Sequence, residues 1–150
     1  MRLATLALAV STTSALAQAD RVGADDPAAL LQLMRDAGVK SSLGIDGWGD
    51  PTIEARSGDV AWEVLFHGCT DGAGCTNVMF AAGFASPGAT PDRVNEWNAA
   101  QLYSRAFVDD TGEAVLELPI NTTGGISTAA FSDGLDWWLT LLPEFRDHVQ

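Results

Sequence analysis

The sequence predicts an α+β domain in which an antiparallel β-sheet is flanked by helices. Three observations lead there. Helical and extended signals follow one another as helix, three or four strands, helix, two strands, helix, with neither an internal repeat nor a long linker. The strands are separated by short clusters of Gly and Asp that suit tight hairpin turns. And 150 residues, 47 % of them hydrophobic and 19 % charged, suffice for one buried core without room for a second large domain.

Each element has its own signal. Asp26 caps a first helix that starts at Pro27, carries Leu30, Leu31, Leu33 and Met34, and ends at Gly38. Val39 to Asp46 turns to short alternation, the turn formers Asp46 to Pro51 come next, and Thr52 to Arg56 pairs back. Ser57-Gly58-Asp59 makes the next tight turn. Val60, Trp62, Val64 and Phe66 then recur with period two, so that set faces the core. Thr76 to Ala85 repeats the pattern with Val78, Phe80, Ala82 and Phe84, which makes these two strands a hairpin. Thr90 and Pro91 open a second helix with Val94, Trp97, Asn98 and Leu102 on one side. Ser104 to Asp109 and Glu113 to Asn121 form a second hairpin about Asp109-Asp110-Thr111-Gly112. Gly124-Gly125 releases the chain into a long helix capped by Ser127. Phe131, Leu135, Trp138, Leu142, Phe145 and Val149 form its apolar stripe, and Pro143 is expected to bend it near Leu139.

A formal charge of −12 and a pI near 4.2 give a surface field that repels phosphate backbones and anionic head groups. Nucleic acid and the membrane surface are therefore excluded as partners. Residues 1–17 read as a secretory signal peptide. Met1-Arg2 is the positive start, Leu3 to Val10 the apolar run, and Ala15-Leu16-Ala17 the small-x-small pattern before cleavage. Ala17-Gln18-Ala19 offers a second frame, so the cut falls after Ala17 or Ala19. The apolar run is far below the roughly 20 residues that span hydrocarbon, so no membrane anchor remains after cleavage. Residues 18–25 are then a mobile lead-in and 26–150 the folded domain, in the periplasm or outside the cell.

In such an oxidising compartment Cys69 and Cys75, which flank Thr-Asp-Gly-Ala-Gly, read as a disulfide at the tip of the first hairpin. The alternative uses His67 and the two sulfurs as a metal or catalytic site. Three candidate ligands without a fourth make a poor structural zinc site. Five residues between the thiols exclude a C-x-x-C redox pair.

The run Asn77 to Phe84, Asn95-Glu96-Trp97-Asn98, Arg105-Ala106-Phe107-Val108-Asp109, Gly112, Gly124-Gly125-Ile126-Ser127 and Phe145 resembles the YbjN family of bacterial sensory-transduction regulators. The most specific part is the ordered series N-x-W-N, then R-x-x-x-D before a glycine turn, then G-G-I-S before a Trp-rich helix. The resemblance implies a fold similar to type III secretion chaperones, frequent dimers and no established enzymatic activity. The leader and the Cys69 to Cys75 loop depart from the intracellular regulators that give the family its label.

Asn95, Trp97, Asn98, Arg105, Asp109, Gly124 and Gly125, which carry the resemblance, also have structural explanations. Asn98 can anchor the helix-to-strand connection through backbone hydrogen bonds, and Arg105 can pair with an acid across the sheet. Trp137 and Trp138 point about 100° apart on a helix, so both cannot enter the core equally, and the pair is the candidate partner-binding surface. There is no G-x-S-x-G, no H-E-x-x-H and no phosphate-cradling glycine loop, and His148 lies near a terminus expected to fray. The sequence thus reads as an exported, non-catalytic, chaperone-like or regulatory binding module. It needs no cofactor or metal, and its partner is a protein or a second copy of itself.

Overall fold

A computed structural model describes residues 21–150; the proposed signal peptide lies outside the described residues. Eleven elements run in order: β1 (Arg21–Val22), α1 (Pro27–Asp36), β2 (Lys40–Ile45), β3 (Pro51–Ser57), β4 (Val60–His67), β5 (Asn77–Phe84), α2 (Pro91–Ala100), β6 (Arg105–Val108), β7 (Ala114–Asn121), β8 (Ile126–Ser127) and α3 (Thr128–Val149). Six strands form one antiparallel sheet in the order β2-β3-β4-β5-β7-β6, and β1 pairs separately with β8. The α+β class and the antiparallel sheet flanked by helices are as the sequence predicts, with four strands between the first two helices.

The helices start where their caps place them. Asp26 Oδ1 accepts from Ala29 N at 3.0 Å, and the hydroxyls of Thr90 and Ser127 accept from Arg93 N and Ala130 N at 3.4 and 3.1 Å. Each satisfies an amide that the first turn leaves unbonded.

The core lies between one face of the sheet and the helices. Trp62, Val64 and Phe66 of β4 and Val78, Phe80 and Ala82 of β5 are buried there, as their alternation predicts. Trp138 of α3 sits 5.6 Å from Trp62 and 5.8 Å from Phe80 between ring centroids, and Phe131 packs edge-on to Phe80. Trp97 of α2 meets Phe145 of α3 at 5.0 Å, which joins the two helices. α3 continues through Pro143 without interruption, although the ring removes the amide that would bond Leu139. Leu135, Trp138, Leu142, Phe145 and Val149 hold both halves of the helix to the core.

Three local expectations need correction. Arg21 and Val22, inside the stretch read as a mobile lead-in, are paired with Ser127 and Ile126. The Arg21 guanidinium donates to the carbonyls of Gly124 and Gly125, and Ala24 N donates to the buried Thr122 hydroxyl. Leu102 is not on the apolar side of α2. The helix ends at Ala100 and Leu102 is 83 % exposed, because Trp97 and Asn98 draw the chain straight into β6. The chain end at His148 does not fray: Val149 is buried, Ser86 Oγ donates to its carbonyl at 2.6 Å, and His148 Nε2 lies 2.7 Å from the Arg93 carbonyl.

Candidate functional site

The two adjacent tryptophans separate completely. Trp138 is 0 % exposed, which removes it from any surface, whereas Trp137 is 40 % exposed. A 100° step along the helix turns one ring to the sheet and the other to its flank. Tyr103, in the α2–β6 connection, packs against Trp137 with ring centroids 4.7 Å apart and ring planes tilted by 37°. With Leu102 beside Tyr103 in that connection, these residues make an apolar patch on an acidic chain. Tyr103 and Leu102 were not legible as its members, because that required knowing where α2 stops.

The connection carrying Tyr103 is fixed from beneath. Trp97 Nε1 donates to Ser104 Oγ at 3.0 Å. The Asn98 carboxamide donates to the Ala106 carbonyl at 2.9 Å and accepts from the Ala106 amide at 2.8 Å. Asn95 lies on the solvent side of α2.

The other residues of the ordered series are spread over the sheet. Arg105 reaches across to the buried Glu117 of β7, with Nε and Nη2 at 2.6 and 2.5 Å from Oε2. Asp109 closes the β6–β7 turn by accepting from the Thr111 hydroxyl and from the amides of Thr111 and Glu113. These donors, the Thr111 hydroxyl foremost, hold its carboxyl below the usual carboxylate range. Gly124 and Gly125 have φ of +75° and +77°, left-handed values that favour glycine at the turn into α3. Asn98, Arg105, Asp109 and the glycines thus organise an edge, a cross-strand pair and two turns, and they do not converge on one pocket.

Cys69 and Cys75 are joined by a disulfide within the β4–β5 connection. Both sulfurs are thereby withheld from metal ligation or nucleophilic attack, and His67 stands exposed at the end of β4. Among the described residues no three of His, Cys, Asp and Glu gather as a metal site.

The solvent face of the sheet holds a trough of about 700 Å³ that periodicity alone does not reveal. Ala61, Ala81 and Gly83 make a low floor, while Lys40, Glu54, Arg56 and Glu63 rise around it. The register sets Glu54 directly opposite Glu63. Partial burial, then Glu54, then Asp46 push the Glu63 carboxyl above its ordinary value. Among the described residues no helix is long and apolar enough to cross a membrane.

Residues 26–150 match the family model YbjN, described as "Putative bacterial sensory transduction regulator". Among solved structures the chain is similar to that of "YbjN, a putative transcription regulator from E. coli". The TM-score is 0.53 at 17 % identity, over 81 % of this chain and 86 % of that one. That likeness carries the fold, to which the six-stranded sheet and three helices conform. No curated protein matches. The ordered Asn, Trp, Arg, Asp and Gly positions are the same ones that hold the α2–β6 connection and the turns, and with the match over 26–150 the chain belongs to the YbjN family.

Proposed function

We propose that this protein is an exported, non-catalytic, chaperone-like module that binds an apolar segment of a partner protein. The contact surface is centred on Trp137 and Tyr103. One observation carries the reading: a packed, tilted Trp–Tyr pair stands exposed, with exposed Leu102 next to Tyr103 in the chain, on a connection tied down by Trp97 and Asn98. Rigid aromatic surface lowers the ordering cost of binding, and such residues supply a large share of interface free energy. The regulator description of the family supports a protein-binding role in general. Export is supported by the leader-like residues 1–17 and by the disulfide, which suits an oxidising compartment.

A photo-crosslinking residue placed at Trp137 in the full chain tests this, with Thr140, exposed on the same helix, as control. The expected result is a discrete adduct with another protein at 137, absent at 140 and lost when Tyr103 and Leu102 are both changed to Ser. Equal labelling at both positions, or none, overturns the reading. The purified partner should bind Trp137→Ala at least about thirtyfold more weakly, the scale of an interface hot spot. For export, the expected product is a periplasmic chain beginning after Ala17 or Ala19, and an uncut cytoplasmic chain overturns that part.

A further inference from the structure

The side chains around the trough on the solvent face of the sheet are sorted by sign. Register sets Lys40 opposite Arg56, with Ala61 next to Arg56 on β4. Two residues along, Glu54 faces Glu63, with Ala81 next to Glu63 on β5. Bases thus occupy one row and acids the neighbouring row, about 7 Å away along the strands. Ala81 is only 7 % exposed although it lies on the solvent face, so the floor is sunk between charged walls. β2 pairs with β3 alone, and the charged end of the trough therefore reaches the open edge of the sheet. At the other end Glu113 Oε2 overhangs Gly83, 2.8 Å from where a Cβ would stand.

These charges are not neutralised from within. Among the described residues Lys40, Glu54, Glu63 and Glu113 make no ion pair, and Arg56 donates only to the Asp59 carbonyl, at 2.9 Å. Two like charges set directly opposite, as Glu54 and Glu63 are, destabilise a sheet unless a cation comes between them.

We propose that the trough binds a free basic α-amino acid, with its ammonium between Glu54 and Glu63, its carboxylate between Lys40 and Arg56, and its side-chain cation at Glu113. An α-amino acid carries a cation and an anion on one carbon, which matches an acid row beside a base row and gives each a charge-assisted partner. Its aliphatic stem runs over Ala61, Ala81 and Gly83, which present no polar side chain. Gly83 lies one strand over and two residues along from Glu63, about 8 Å away. The two nitrogens of an extended lysine are about 7 Å apart. Charge agrees as well: Lys40 and Arg56 against Glu54, Glu63 and Glu113 leave one acid uncompensated, the complement of a zwitterion with one additional cation. Asp46 nearby serves the amides of Trp48 and Asp50, and Arg105 and Glu117, past Ala81, pair with each other, so these take no part. A volume of about 700 Å³ lies within the roughly 300–1,000 Å³ of small-molecule sites.

Isothermal titration of the chain with L-lysine and L-arginine at physiological salt tests the proposal. At least one should bind with a dissociation constant below about 1 mM. Norleucine lacks the side-chain cation and cadaverine lacks the carboxylate, and each should bind about tenfold more weakly. Glu54→Gln and Lys40→Ala, both at exposed positions, should keep the circular dichroism of the parent and weaken binding about tenfold. Glu144→Gln, exposed on α3 across the sheet, should leave binding unchanged. Binding of both amino acids weaker than about 1 mM overturns the proposal. Cadaverine or norleucine binding as tightly as lysine does so too, the former because an acidic chain would then merely be attracting amines. Binding indifferent to both Glu54→Gln and Lys40→Ala also overturns it. The crosslink at position 137 bears on none of these outcomes, so the two proposals fail separately.

Discussion

The side-chain amide of Asn98 makes to Ala106 the two hydrogen bonds that a neighbouring strand would make. A helix residue thereby acts as the last rung of the sheet, and it fixes where α2 ends and β6 begins. Removing it leaves an N–H and a C=O stranded beside a buried alanine. Asn98→Ala should cost about 1–3 kcal/mol in urea denaturation. Asn98→Asp, which keeps the acceptor and loses the donor, should cost less. A loss below about 0.5 kcal/mol for Asn98→Ala contradicts this account.

The two tryptophans of α3 make a sharper contrast. Trp138→Ala opens a cavity between Trp62 and Phe80 and should destabilise the fold by about 3–5 kcal/mol. Trp137→Ala should cost under about 1 kcal/mol, because it loses a surface ring contact with Tyr103 and little burial. Thermal melts of the two variants measure this directly. Similar losses at both positions would mean that Trp137 is a core residue and not a contact surface.

The disulfide closes a loop of seven residues, for which the chain-entropy relation gives about 2 kcal/mol. The Cys69→Ser, Cys75→Ser double variant should therefore unfold at lower denaturant and remain folded at room temperature, with the β4–β5 hairpin retained. Calorimetry with and without reductant checks this, and a chain that fails to fold without the bond would show that the loop founds the structure.

Glu63 gives a pH dependence with a defined sign. Its carboxyl is pushed above the ordinary value of 4.5 by partial burial, then by Glu54 and Asp46. The folded state thus holds this proton more tightly than the unfolded chain does, so the group disfavours folding as pH rises through its folded value. Below 4.5 both states are protonated and the penalty vanishes. Glu63→Gln should raise the melting temperature at pH 7 and leave it unchanged near pH 3. Lys40 and Arg56, which share the trough with Glu63, moderate the gain without reversing it.

How much of the fold and the site was legible depends on the range of each signal. Trp62, Val64 and Phe66 announce their face through local alternation, and Asp26, Thr90 and Ser127 announce their helices as caps placed just ahead of an apolar run at helical spacing. The disulfide was legible from proximity in the chain. The choice between Trp137 and Trp138 was not settled by their spacing, which states only that they diverge. Leu102 was misplaced because a hydrogen bond between residues eight apart in sequence, Asn98 to Ala106, cuts the helix short. The trough and the open edge were hidden for the same reason. Both depend on strand order and register, which bring Glu54 to Glu63 and leave β2 with one neighbour.

Because the helices cover a single face of the sheet, tolerance to substitution should divide by the parity of residue number. In β4 and β5 the even positions face the core, at Trp62, Val64, Phe66, Val78, Phe80 and Ala82. In β3 the odd positions do, at Ile53 and Ala55. A saturation scan across residues 51–84 would therefore trace a two-residue oscillation whose phase reverses at the Ser57 to Val60 turn. That reversal would register the hairpin in a living population without any spectroscopy.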